Sequence, residues 1–493
     1  MPNALVIGAG VGGLAAAIEL AAAGQRVTVL ERESRPGGKM RRLPVAGQGV
    51  DAGPTVFTMR WVFDELLASA GTMLEDELGL HKADVLARHA WTQGGELDLF
   101  ANIDESAQAI EAFAGAADAD SYRDFCRRSA AIYDTLREPF IASSRPGMFE
   151  LVKRVGYDRL DSLWRTAPFQ SLWNALGKQF ADQRLRQLFG RYATYVGSSP
   201  LQAPATLMLI AHVEQNGVWL VEGGMEAVAH ALMRVGERLG VEYRFNEGVR
   251  TIDVRGDRVV GVFTERDAYI DTKRVVFNGD ASALATGMLG PDVCRAARVV
   301  KEKHRALSAI TFCLLGKVSG FDLHYHNVFF AQNYPREFRK IFDERSIVDR
   351  PTVYLCAQDR REGCQASTGP EPLLLLINAP ADGDRVERSE FELSAYRDAA
   401  LQMLSSCGCE ITFAKENAIA TDPHGFAKRF PGSGGSLYGR ANHGPFASFA
   451  RAGARTPIRG LYLAGGSVHP GAGVPMSAMS GRLAAAAVLS EPR

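Results

Sequence analysis

The chain lacks any long apolar run: stretches such as residues 373–377 fall far short of the roughly 20 residues that span a bilayer. Cysteine is scarce. The seven present (Cys126, Cys294, Cys313, Cys356, Cys364, Cys407 and Cys409) are scattered and odd in number, which excludes a disulfide framework and makes a reducing compartment the expected setting. An excess of charge of one sign is also missing. Lys plus Arg and Asp plus Glu number 56 each, so no global field draws in nucleic acid. The first 18 residues lack a basic start and are broken by four glycines, so they read as structure and no signal peptide is expected. His324 with His326, and Cys407 with Cys409, have no further ligand at metal spacing, and no metal site is expected. No G-x-S-x-G nucleophile elbow occurs.

What remains is an ordinary globular composition, 46% hydrophobic and 23% charged over 493 residues, enough for three domain-sized units of about 150 residues. Glycine stands out with 50 residues, clustered towards both ends. Near the start, Ala4-Leu5-Val6-Ile7 is a short buried-strand pattern followed by Gly8-Ala9-Gly10-Val11-Gly12-Gly13 and a helical stretch over residues 14–23 that stops at Gly24. A strand-loop-helix of this form permits a tight turn, close backbone approach and unpaired helix N–H groups facing a pyrophosphate. The second strand, residues 27–30, ends at Glu31, at the spacing of an acid that accepts hydrogen bonds from a ribose. Its neighbour Arg32 points to the other face and is read as solvated. These features predict a dinucleotide site.

The stretch Arg35-Pro36-Gly37-Gly38-Lys39, then Val50-Asp51-Ala52-Gly53-Pro54-Thr55, resembles the second signature of the FAD-binding amine oxidase and carotenoid desaturase superfamily. Gly37 and Gly38 would let a loop fold back near the diphosphate, with Lys39 available as a cation. At the far end, strand residues 461–464 lead through Gly465-Gly466-Ser467-Val468-His469-Pro470-Gly471-Ala472-Gly473-Val474-Pro475 into a helical pattern over 476–489. Together with residues 221–225 and 422–439, these motifs resemble the bacterial phytoene-desaturase-type family along essentially the whole chain. The wording at 435–443 and 465–475 is most similar to its 1-hydroxycarotenoid 3,4-desaturases.

The resemblance implies an α/β fold: an FAD-binding Rossmann-like domain of the glutathione-reductase/amine-oxidase type, with an inserted α+β substrate domain carrying a membrane-facing helical part. The expected FAD domain is discontinuous (1–85, 221–290 and 425–493), and the substrate domain takes 86–220 and 291–424. The cofactor is expected against Gly8, Ala9, Gly10, Gly12, Gly13, Glu31, Arg32, Gly38, Lys39, Pro54 and Thr55. Val249 and Asp280 are expected in mid-chain, and Gly465, Gly466, Val474, Pro475 and Met476 near the flavin ring. The helix end there would favour an anionic reduced flavin. His469 is the candidate catalytic base, although a histidine in such a turn also serves as a structural hydrogen-bonding group.

Residues 140–195 hold ten aromatics, among them Tyr157, and nine Lys or Arg against four acids. Phe169, Leu172, Trp173 and Leu176 fall at helical spacing, as do Leu185, Leu188, Phe189 and Tyr192. Such stripes either pack into the insertion's own core or form an interfacial docking surface at a hydrophobic tunnel. The implied chemistry is hydride transfer from an allylic carbon of an acyclic carotenoid to flavin, with oxygen or a membrane quinone as final acceptor. The expected setting is peripheral, on the cytoplasmic face of a bacterial inner membrane. Three other readings stay open: a phytoene or neurosporene desaturase or isomerase of the same family, a flavin amine oxidase, and a non-catalytic prenyl-binding escort protein.

Overall fold

The structure is a computed structural model that describes residues 3–156, 160–360 and 369–491; Tyr157 and Cys364 lie outside the described residues. Strand β1 (Ala4–Ile7) is buried throughout and turns at Gly8 into helix α1 (Val11–Ala22). Strands β2 (Val27–Leu30), β3 (Glu242–Arg244), β4 (Val275–Phe277) and β5 (Leu461–Leu463) complete one sheet in the order β5-β4-β1-β2-β3. Every pairing in it is parallel. The four inner and C-terminal strands are apolar and buried throughout, which suits a sheet covered on both faces, whereas the edge strand β3 is polar. The sheet draws on residues from both ends and the middle of the chain.

Helix α2 (Val474–Leu489) follows β5 and packs on α1. The contact is made by glycine: a Cβ on Gly481 would stand 2.0 Å from the Gly12 carbonyl oxygen. The small residues of both helices leave their backbones almost touching, so α2 presses against the turn that begins α1.

A second sheet has eight strands among the described residues. Its order is Glu410–Thr412, Ser308–Ser319, Glu371–Ala379, Val353–Ala357, His326–Phe330, Val85–Trp91, Glu96–Phe100, with Ala418–Thr421 also paired to Ser308–Ser319. Period-two alternation sorts its faces. Leu373, Leu375 and Ile377 pack with Met403 and Leu404 of the helix Glu390–Ser405. Leu374, Leu376, Val328 and Tyr354 face the other way, into a cavity.

The aromatic stripes of the insertion are largely core. The helix Leu172–Gln179 is capped by Ser171, whose Oγ accepts from the Asn174 N–H, so Phe169 lies ahead of it and outside the stripe. Leu172 and Leu176 are buried, and Trp173 is covered by the Arg186 guanidinium 4.1 Å from its ring. In Gln183–Gly190 and the turn after it, Leu185, Leu188, Phe189 and Tyr192 are buried, with Phe189 packed 4.7 Å from Phe125 and 4.9 Å from Phe180. Phe169 and Trp164 are left exposed. Among the described residues, no helix is long and apolar enough to cross a membrane.

Because Gly481 has no room for a methyl group, Gly481→Ala forces α1 and α2 apart. The expected cost is about 1–3 kcal/mol, read as a lowered denaturation midpoint at saturating cofactor. An unchanged midpoint would show that the helices have slack.

Candidate cofactor and substrate cavity

A cavity of about 1100 Å³ opens at the carboxyl ends of β1, β2, β4 and β5 and continues under the second sheet. It begins where the strand order turns back on either side of β1, the place where doubly wound sheets leave a crevice. Of the expected cofactor residues, Gly8, Gly10, Gly12, Glu31, Arg32, Gly38, Lys39, Pro54, Thr55, Val249, Asp280, Gly465, Gly466, Val474, Pro475 and Met476 line it. Two of them, Ala9 and Gly13, do not.

Ala9 and Gly13 sit behind the lining. The Ala9 N–H donates to Glu31 Oε2 at 2.6 Å, fixing the acid, and a Cβ on Gly13 would fall 2.0 Å from the Gly8 carbonyl oxygen. Gly13 is therefore needed for close packing of helix on strand, not for contact with a ligand. Gly12 is held as tightly: its Cβ would meet Asn278 Oδ1 at 2.6 Å and the Ser477 carbonyl at 2.8 Å. Asn278 lies in the stretch 275–281, which resembles the family's next cofactor-domain strand and turn, but only Asp280 of that stretch was expected at the site. The Asn278 amide also donates to the Gly8 carbonyl at 3.2 Å, and its side chain lies against Gly12 and Gly465, so one residue at the end of β4 ties together the loops after β1 and β5.

Gly37 and Gly38 fold back as expected. The Gly37 N–H donates to the Ala9 carbonyl at 2.9 Å, and Gly38 lies against Gly10. Lys39 departs from expectation. Its half-buried ammonium donates to the Leu437 carbonyl, with Asp280 as the nearby opposing charge. Burial lowers its pKa, and Asp280 resists the change. Arg451, also unforeseen, is buried and donates from Nη1 to the carbonyls of Tyr438 and Gly466. Burial pushes its pKa down to about 10. Lys39 and Arg451 thus bind the 437–440 segment to both glycine loops.

Glu31 is buried, which raises its pKa, while hydrogen bonds from the Glu33 and Ala9 amides pull it back. Each oxygen takes one amide and keeps a free lone pair, as an acceptor of a ribose diol needs. Arg32 is half-exposed at the rim and donates from Nη2 to the Arg429 carbonyl at 2.6 Å. Asp280 caps the helix Ala281–Ala285, accepting from the Ser282 N–H at 2.8 Å. At the other end of the crevice, α2 starts at Gly473 with no side-chain cap and no acid in its first turn. Its positive end faces the lining formed by Val474 and Met476. Glycine-lined walls, a free acceptor at Glu31 and an uncapped helix N-terminus together fit FAD.

His469 corrects the expected base. It does not line the cavity; its Nε2 donates to the Ser143 carbonyl at 3.0 Å and its ring packs edge-on to Phe140 at 4.9 Å. Burial pushes its pKa down to about 4, which makes it a poor proton acceptor. Its work is to hold the 140–143 segment. Sequence inspection also missed Arg191, Tyr195, Glu214, Tyr334 and Tyr354, which line the substrate half of the cavity and belong to no motif.

Two outcomes follow from this geometry. Glu31→Ala should weaken FAD binding to the apoprotein by roughly ten- to hundredfold, as loss of hydrogen bonds to a charged acceptor predicts, measured by flavin fluorescence titration; unchanged affinity would remove the ribose role. His469→Gln should leave the pH profile of flavin reduction unaltered while lowering stability. Because the folded pKa of about 4 lies below the ordinary value near 6.5, the neutral ring's contribution is complete above that value. It fades as pH falls towards 4, by up to about 1.4 kcal/mol per pH unit. The gap in melting temperature between wild type and variant should therefore narrow from pH 7 to 4.5.

The family profile described as flavin containing amine oxidoreductase matches residues 11–489. Hydroxyneurosporene desaturase of Rubrivivax gelatinosus is 48% identical over 488 residues, 99% of this chain and 93% of that protein. The protein of the same name from Cereibacter sphaeroides is 42% identical, covering 100% and 98%. A 1-hydroxycarotenoid 3,4-desaturase of Flavobacterium sp. is 30% identical, covering 98% of each. Among solved structures, putrescine oxidase bound to putrescine superposes with a TM-score of 0.62 at 15% identity over 99% of both chains, a likeness of fold. With the crevice fitting FAD and the match running from end to end, the chain belongs to the flavin containing amine oxidoreductase family, as an FAD-dependent member of its carotenoid desaturase branch.

Proposed function

We propose that this chain desaturates an acyclic 1-hydroxycarotenoid, introducing the C-3,4 double bond at a membrane surface. The observation that carries the proposal is the 48% identity to a hydroxyneurosporene desaturase across 99% of the chain. A long apolar cavity continuous with the cofactor crevice supports it. The same full-length likeness favours desaturation over amine oxidation or a non-catalytic escort role. FAD, when bound, supplies the two-electron acceptor for the hydride leaving the allylic carbon.

The chain's own part is to position and to dehydrate. Leu136, Phe140, Leu207 and Ile210 wall the substrate half, and Leu374 and Leu376 of the second sheet close it. A hydrocarbon held there exchanges water for aliphatic and aromatic contacts, so its reacting carbon would be presented to a bound flavin without competing solvent. The uncapped start of α2 would favour negative charge on a flavin ring held there by about 0.3–2 kcal/mol. The proton lost from the neighbouring carbon leaves to water or to a base other than His469.

At the mouth, the apolar lining continues onto the surface. Trp164 and Phe169 are 73% and 63% exposed, their rings 5.8 Å apart, and Phe446 stands 6.0 Å from Phe169. Exposed Met148 lines the same cavity, and Lys153 and Arg154 lie in the last turn of the helix it opens, Met148–Val155. A greasy rim with aromatic and basic residues suits the headgroup region of a bilayer, from which an insoluble polyene is drawn. We place the protein on the cytoplasmic face of a bacterial inner membrane, with oxygen or quinone taking the electrons.

The test is anaerobic incubation of the holoprotein with liposomes carrying a 1-hydroxylated acyclic carotenoid. Bleaching of the flavin together with a red-shifted polyene spectrum is expected; bleaching by amines alone would overturn the proposal. The double variant Trp164→Ser, Phe169→Ser should lose co-sedimentation with anionic vesicles while keeping its flavin absorbance, and undiminished sedimentation would reject the rim.

A further inference from the structure

One part of the cavity wall is strongly polar. The Arg191 Nη2 donates to the Tyr195 hydroxyl at 2.9 Å, and that hydroxyl donates to Glu214 Oε1 at 2.7 Å. On the second sheet, the Tyr354 hydroxyl lies 2.6 Å from Thr55 Oγ1 and 2.7 Å from His326 Nδ1. The Arg191 guanidinium stands 5.7 Å from the Tyr354 ring and bridges the two groups. All but His326 line the cavity.

Tyr334 is the residue that points beyond internal structure. It opens the helix Tyr334–Phe342, its side chain is fully buried, and it lines the same cavity. Its ring is fixed edge-on between Phe330 at 5.5 Å and Phe338 at 4.9 Å. Yet its hydroxyl has no hydrogen-bond partner among the described residues. A buried hydroxyl without a partner is costly to keep. Arg191, too, uses one of its five N–H donors in a hydrogen bond among the described residues. Spare donors and a spare hydroxyl in a hydrocarbon channel call for a polar group on the ligand.

This inference rests on the proposed function, whose substrate has one polar group: a tertiary hydroxyl on C-1, separated from the reacting C-3 by a single carbon. Whatever binds that hydroxyl must stand beside the cofactor. The polar wall does. Thr55 follows Gly53 and Pro54, and Gly53 is pressed so closely on the Lys39 carbonyl that a Cβ would sit 1.8 Å from it, in the turn that folds over Gly10. We propose that Tyr334, Arg191 and the Tyr354–Thr55 pair form a subsite for the substrate's tertiary alcohol. Arg191 donates to the alcohol oxygen, and the alcohol donates to Tyr334. The subsite selects the hydroxylated end of the polyene over the plain hydrocarbon end and sets C-3 and C-4 in register with the flavin.

The test compares two liposome-borne acyclic polyenes that differ only in the 1-hydroxyl. Wild type should favour the hydroxylated one. In Tyr334→Phe, which removes only an unpartnered hydroxyl, the ratio of kcat/KM for hydroxylated over plain polyene should fall by about three- to tenfold, with the change in KM. Melting temperature and flavin content should stay at wild-type values. Should that variant fail to bind FAD, Tyr354→Phe is read by the same ratio. A wild type indifferent to the hydroxyl, or a ratio unmoved by the variants, overturns the subsite while leaving desaturation intact. A wild type that oxidises neither polyene overturns the functional reading and the subsite together.

Discussion

Three distant stretches of chain converge where there is no space for side chains. Gly12 is hemmed in by Asn278, by the Ser477 carbonyl and by the Gly465 amide, and Gly481 of α2 rests on the Gly12 carbonyl. Every other feature of the cofactor crevice depends on this contact. It sets how far α2 advances, and hence where the uncapped helix start points. It also fixes the spacing between the loop after β1 and the loop after β5. The glycines at 12, 13 and 481 act through packing, whereas those at 8, 10, 465 and 466 form the surface presented to a ligand.

Around that contact the protein separates polar from apolar work. Buried and half-buried cations are spent on backbone carbonyls: Lys39 on Leu437, and Arg451 on Tyr438 and Gly466. They lock loops that carry no regular hydrogen-bonding ladder, and Asp280 offsets their charge. Hydrogen bonds to charged donors make such loops stiff. Beyond them the wall becomes largely hydrocarbon-like, with the cluster around Arg191 set into it.

The parts legible in the sequence are those whose information is local. The turn from Gly8 to Gly13, the acid at Glu31 and the two flanking strands follow from a fixed order over thirty residues, and they fold accordingly. Helical spacing at 185–192 correctly marked apolar positions but not what they face: Phe189 meets Phe125 and Phe180, far off in sequence. The stripe beginning at Phe169 failed because Ser171 starts the helix two residues later, and a cap outweighs a period. His469 misled because its partner, Ser143, is brought in by tertiary packing. The roles of Asn278, Arg451 and Tyr334 were invisible for the same reason: each acquires meaning from neighbours contributed by other segments.

The parallel sheet places β5 beside β4 and β4 beside β1, so the first strand shares its sheet with residues 461–463. During synthesis, the ribosome must release residues 461–489 before the crevice has its far side. A ligand that needs both walls stabilises the crevice only once those residues have joined it. Long-range closure of this kind is slow, which leaves the half-built sheet edge in need of protection until the final helix docks.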